Sequence, residues 1–219
     1  MRMMKTRRWI GIFAAVAVIG SGVAADVRAQ VVIANHGFES PALSPGGFTQ
    51  SVPLGWTLVA GSSTEVGVFY PTISQWNYVA PSGNQVLYLN TATVEQQIAT
   101  NVVQGEHYLL AVNVVRRPGF WNPNYRIDFF AGSVLLGSDL GTLVPANGGA
   151  LVSLIEYTAG PGDPAIGQPL KIRLGGLTQT NFDNVRIFVP EPGVGTTVLG
   201  ILPVALLARH RARRSHLAP

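Results

Sequence analysis

The chain is 219 residues long, with a formal net charge of +4, 47% hydrophobic residues, 25 glycines, 15 prolines and no cysteine. The lack of cysteine excludes thiol catalysis, thiolate metal centres and a disulfide scaffold. The positive charge sits at the two ends, whereas residues 30–189 hold six basic and nine acidic residues, which excludes an electrostatic drive toward nucleic acid.

Residues 1–29 open with Arg2, Lys5, Arg7 and Arg8 and continue through an apolar run from Ile10 to Ala25. Val27 and Ala29 then occupy the −3 and −1 places of a small-residue cleavage site. That order is the design of a secretory signal peptide. Cleavage by signal peptidase before Gln30 is expected, with Ala25 as the alternative site.

Residues 30–189 read as strand and turn. Trp56 to Ala60, Glu65 to Tyr70 and Gln85 to Asn90 are short β-prone runs between clusters of Gly, Pro and Ser. His107 to Arg116 is longer, with Tyr108, Leu110, Val112 and Val114 on one face. Tyr125 to Ala131 and Ser133 to Leu136 form a predicted hairpin turning at Ala131-Gly132, and Leu151 to Thr158 follows. Leu170, Ile172 and Leu174 alternate with Lys171 and Arg173, as in a half-buried strand. Phe182 to Val189 closes the region, with Asp183, Val185, Ile187 and Val189 expected on one face. About ten such strands without a helical period predict an all-β, antiparallel, jelly-roll-like β-sandwich.

Long connections fall at Ser40 to Leu54, Pro71 to Asn84, Pro118 to Asn124 and Gly160 to Pro169. Loops of that length on a β scaffold are where binding usually resides. The stretch Phe69 to Tyr78 puts four aromatic residues in or beside one loop, and Arg116 to Tyr125 adds three more beside two arginines. Aromatic rings with nearby polar groups suit the apolar face of a sugar ring. Trp76, Tyr78, Arg117 and Trp121 are therefore the candidate ligand-binding residues. A second role stays open for Trp76 and Trp121, as small satellite cores under their loops; Trp56 is assigned to the main core.

Asn35-His36-Gly37-Phe38-Glu39, Gly55-Trp56-Thr57, Pro81-Ser82-Gly83-Asn84-Gln85 and Phe182-Asp183-Asn184-Val185 occur in that order. The set resembles the galactose-binding-like jelly roll of many carbohydrate-binding modules. The resemblance implies that the opening and closing motifs meet on adjacent strands, where such domains often hold structural calcium. Glu39 and Asp183 are then the candidate metal ligands, with Asn184 offering an uncharged oxygen where the pattern has a second acid. The alternative leaves Glu39 capping a turn and Asp183 paired with Arg186 or water.

The C-terminal segment, residues 190–219, begins Pro190-Glu191-Pro192, runs through the 16 apolar residues Gly193 to Ala208, and ends with Arg209, Arg211, Arg213 and Arg214. It resembles the PEP-CTERM sorting signal of Gram-negative bacteria. The resemblance implies a hydrophobic helix anchored in the membrane until an exosortase removes it. It also implies delivery to the cell envelope, the surface or an extracellular matrix rich in exopolysaccharide.

The mature region has two histidines, His36 and His107, about 70 residues apart, and neither a Gly-x-Ser-x-Gly elbow nor a zinc-type histidine pair. No catalytic residue is assigned. The expected function is a non-catalytic, exported protein that binds extracellular polysaccharide and needs no cofactor beyond structural calcium. The alternative is a structural or adhesive matrix protein that contacts other proteins and binds no sugar.

Overall fold

Period-two alternation gives each strand one apolar face, and burying those faces requires a partner sheet. The computed structural model describes residues 28–190. Numbered in chain order, the first sheet runs β3 (Val66–Phe69), β4 (Val86–Asn90), β11 (Gln179–Pro190), β6 (His107–Val115), β9 (Ala150–Thr158), with β1 (Arg28–Val31) also paired to β11. The second runs β2 (Thr57–Ala60), β5 (Thr93–Asn101), β10 (Pro169–Gly176), β7 (Tyr125–Ala131), β8 (Val134–Asp139). Every strand pair is antiparallel. The all-β sandwich expected from the pattern is the fold.

The inner faces meet in one core. Val66, Val68, Leu87, Leu89, Leu110, Val112 and Phe182 from the first sheet pack against Val94, Ile127, Phe129, Leu170, Ile172 and Leu174 from the second. Each such side chain contributes roughly 1.5–3 kcal/mol by leaving water. Trp56 lies in this core against Phe38, ring centroids 5.4 Å apart. Phe38 holds a positive φ of 57° at the end of the Asn35–Phe38 turn, a conformation that an L-residue keeps only when its surroundings impose it. Full burial of its ring supplies that constraint.

The structure departs from the alternation in two strands. β5 was not expected, because polar Gln96 stands at its inward position between Val94 and Ile98. Its amide bonds the backbone of Ala34 in both directions and Gly55 O, so a buried polar group is fully used in tying the N-terminal turn to the sheet. In β11, Asp183 and Val185 do not share a face. The register shifts between Asp183 and Arg186, where Asn184 takes a φ of 51°. This β-bulge keeps Phe182, Val185 and Ile187 all in the core and turns Asp183 away from it.

Among the described residues no helix is long and apolar enough to cross a membrane. The segments assigned to the signal peptide (apart from its last two residues, which fall in β1), to Glu191 and Pro192, and to the C-terminal hydrophobic helix lie outside the described residues; Pro190 ends β11.

Candidate active site: an aromatic cleft on the outer face of the first sheet

With Leu87, Leu89, Phe182 and Val114 in the core, their neighbours must point outward. Tyr88 stands beside Asn181, Asn181 beside Val115, and Phe69 beside Val86. Phe69, Tyr78, Val86, Tyr88 and Val115 form a second hydrophobic cluster, separate from the main core, with Trp76 packed on it. A cleft of about 320 Å³ opens there, lined by Phe48, Phe69, Trp76, Tyr88, Asn90, Arg117 and Gln179 with Gly46 and Gln50. That volume lies in the range of small-molecule sites, about 300–1,000 Å³.

Two of the long connections build the walls. Residues 44–50 zip onto the free edge of β3, with Thr49 N donating to Val68 O and Tyr70 N to Gly47 O. Tyr88 Oη donates to Thr49 O at 2.6 Å. Gly67 allows this approach, since a Cβ there would overlap both Thr49 O and the Tyr88 hydroxyl. The Pro71 to Asn84 connection contains the one-turn helix α1 (Ile73–Trp76), closed by Asn77 in the left-handed region at φ 53°. That turn sets Trp76 edge-on to Phe69, centroids 5.6 Å apart.

Trp76 and Arg117, predicted on separate loops, meet here. The Arg117 guanidinium carbon lies 3.9 Å from the centre of the Trp76 ring, 4.6 Å from Phe120 and 5.5 Å from Phe69. Tyr78 is buried behind Phe69, and its hydroxyl accepts from Asn181 Nδ2 at 2.9 Å. Burial drives the Tyr78 pKa well above the ordinary tyrosine range, outweighing the opposing pull of Arg117 and the Asn181 hydrogen bond, so the phenol keeps its proton. Trp121 is not brought in: it is 86% exposed at its loop tip and lines no part of this cleft.

Unsatisfied polar atoms occur on this sheet, two of them, on Asn90 and Arg117, in the cleft lining. Asn90 Oδ1, Asn113 Oδ1, Asn181 Oδ1 and Arg117 Nε are buried without a hydrogen-bond partner. Such groups are rare in a folded protein and carry a desolvation cost of about 1–3 kcal/mol each. No carboxylate is among the residues lining the cleft. Asn90, Asn181 and Gln179 were missed in the sequence; the signal available was the alternation of β11, which puts Asn181 on the face of Asp183.

Asp183 and Glu39 are brought close together. A Cβ on Gly37 would lie 3.8 Å from Asp183 Oδ1 and 3.9 Å from Glu39 Cγ. Asp183 accepts from Ser82 N and Asn184 N, and Glu39 from Asn84 N and Gln85 N. Burial pushes the Asp183 carboxyl up to about 7, against the pull of those two amides, and nearby Glu39 adds to the rise. Neither acid has an ion-pair partner among the described residues, so Asp183 does not pair with Arg186. No cluster of three or more His, Cys, Asp or Glu suited to a metal occurs among the described residues. Two carboxylates without a cation still fit an ion that completes its shell with carbonyls and water.

The family model for the HpiC1 cyclase matches residues 29–188. A Stig cyclase, Fisc, from Fischerella sp. TAU, solved in complex with (3Z)-3-(1-methyl-2-pyrrolidinylidene)-3H-indole, is 26% identical, with a TM-score of 0.68 over 75% of this chain and 99% of that one. A cyclase from the same organism in complex with 4-(1H-indol-3-yl)butan-2-one is 27% identical, with a TM-score of 0.66 over 74% and 98%. The xylan-binding CBM22-1 domain of Paenibacillus barcinonensis Xyn10C, at 17% identity and TM-score 0.46 over 77% and 99%, is too distant to bear on function. No curated protein matches the sequence.

These matches overturn the expectation of a non-catalytic protein that binds polysaccharide, and with it the structural or adhesive alternative: the relatives are enzymes. The exosortase, polysaccharide and membrane partners are corrected on the same ground, since the solved cyclases hold small molecules. The lack of a recognisable nucleophile motif says little about cyclisation, which needs a shaped cavity more than a nucleophile. With a family model covering all but the last residues of the sandwich, the chain belongs to the HpiC1-like cyclase family.

Proposed function

We propose that the protein is a cyclase that folds one small aromatic substrate, of the indole type, in the cleft between Trp76, Phe69, Tyr88 and Arg117. The observation that carries this reading is the cleft itself: aromatic walls with two buried, unpaired polar atoms in the lining, Asn90 Oδ1 and Arg117 Nε. Ring closure joins two parts of one molecule, so holding them in reacting distance removes much of the barrier. Flat aromatic faces hold an extended π-system and favour positive charge that develops on it. Tyr78, protonated and packed behind Phe69, is assigned to hold that aromatic wall in place, itself fixed by Asn181.

The fit of the Glu39–Asp183 pair supports a structural calcium ion, which would clamp the N-terminal turn to β11 and the loop at Ser82 to Gln85. It takes no part in the ring closure. Residues 1–29 are read as a signal peptide and residues 190–219 as an address segment on the Pro190-Glu191-Pro192 motif. The cyclase then works in the cell envelope or outside it.

Cyclisation rearranges bonds without gaining or losing atoms. Full-length protein incubated with 3-substituted indoles bearing an alkenyl side chain is expected to yield products of unchanged mass and altered retention. Trp76→Ala should slow their formation while Arg173→Gln, on the opposite sheet, does not. Absence of any mass-conserving product, together with no binding of 4-(1H-indol-3-yl)butan-2-one, would sink the reading.

A further inference from the structure

Arg117 is the one charged residue among those lining the cleft. Its surroundings satisfy it incompletely. Three aromatic rings, Trp76, Phe120 and Phe69, surround the guanidinium. Ring faces act on the flat faces of a guanidinium and leave its in-plane N–H edge free. Among the described residues that edge has no ion pair, and the buried Nε donates to nothing. The contrast with its neighbour is direct, since Arg116 spends Nε and Nη2 on Phe120 O at 3.3 Å.

Arg186 also has a buried, unpartnered Nε, but it lies over Phe188 and lines no part of this cleft, whereas two other arginines of the sandwich show full pairing. Arg126 lies 2.7 Å from Asp128, and Arg173 lies 2.8 Å from Glu95. Neither pair leaves a charge to be answered. At Arg117 the one ionisable group that tempers the cost of burial is the Tyr78 phenol, which is neutral. A desolvated cation with an open donor fork is a receptor for a planar anion. The setting also argues against indiscriminate attraction: residues 30–189 carry nine acids against six bases, so the domain as a whole repels anions.

Resting on the cyclase reading of this cleft, we propose that the substrate of this protein carries a carboxylate beside its aromatic ring system, held by the N–H edge of Arg117 while Trp76 and Phe69 take the ring. The chemistry separates it from the indoles solved with the Fischerella cyclases, neither of which carries a carboxylate.

The test uses two nearly isosteric probes, 4-(1H-indol-3-yl)butan-2-one and 3-(1H-indol-3-yl)propanoate, in which a carboxylate oxygen replaces a methyl group. Calorimetry on the full-length chain at low salt should show the acid binding about tenfold or more tighter than the ketone, the value of one charge-assisted pair in a partly dry site. Raising ionic strength from about 0.05 to 0.5 M should shrink that ratio. Arg117→Gln should bring it to near unity, and Arg117→Lys should keep part of it, with circular dichroism checking the fold. The proposal falls if the ketone binds as tightly as the acid to the wild-type chain, or if Arg117→Gln leaves the ratio unmoved. If neither probe binds, the cyclase reading of the cleft fails and takes the proposal with it. Ketone binding without an advantage for the acid overturns the proposal alone.

Discussion

The two outer faces of the sandwich carry depressions of similar size and opposite character. On the second sheet, Arg126, Asp128 and Arg173 line a depression of about 350 Å³, and each is tied into an ion pair, Arg173 with Glu95. On the first sheet, a cleft of about 320 Å³ holds Arg117 unpaired and Asn90 Oδ1 unbonded under aromatic walls. Cavity size does not separate the two. Satisfaction does: a face whose charges answer one another is finished, whereas unanswered polar atoms in a dry pocket cost stability that only a ligand recovers.

A third region sharpens the contrast. Asp139, at the end of β8, is 8% exposed and accepts from Tyr125 Oη, Ser153 Oγ, Thr142 N and Thr142 Oγ1. Burial alone would raise its pKa, but those hydrogen bonds together hold it below the ordinary aspartate value. It is a buried acid with every need met, and it joins the edges of the two sheets. Asp139→Asn should therefore cost stability without touching ligand binding, by about 3 kcal/mol near pH 6 in urea unfolding. Because the folded pKa is depressed, the contribution is present above the unfolded value of about 3.9 and is lost as pH falls through the folded one. The gap between variant and wild type should close below about pH 4. A gap that persists there would show that packing, not charge, holds this corner.

Within the cleft, Trp76→Ala should weaken 4-(1H-indol-3-yl)butan-2-one by about 30-fold, roughly 2 kcal/mol, with a smaller loss of stability. A large stability loss with unchanged binding would return Trp76 to the satellite-core role. At the bulge, calcium should raise the melting temperature by a few degrees, about 1 kcal/mol, and chelation should reverse the rise. Glu39→Gln should abolish the response, and a response that survives would place the ion elsewhere. The smallest effect belongs to the paired face. Glu95→Gln should change stability by less than about 1 kcal/mol, since its partners are partly solvated, and should leave ligand binding alone.

The alternation in β6 and β10 was legible in the sequence because each turns one face to the main core, and burial selects residues with period two. It failed where a side chain served a non-local partner. Gln96 is polar and buried because Ala34 and Gly55, distant in sequence, need its amide. The bulge at Asn184 is invisible in composition, yet it decides which way Asp183 faces. The turn motifs around Glu39 and Asp183 could be paired in advance on a resemblance, and the aromatic loops marked a binding region. That region was given the wrong chemistry, since aromatic residues in loops suit sugars and polycyclic substrates alike.

By itself the sequence determined the sandwich, the net negative centre between two basic ends, and the clustering of aromatics in two connections. Those are local or compositional properties, written in spacing and charge. Tertiary structure alone decided that Trp76 and Arg117 stack 3.9 Å apart, that Tyr78 lies against Asn181, and that Trp121 stands free. The reason is physical: a site is a set of distances between residues far apart in the chain, fixed only when loops fold onto a sheet edge and exclude water.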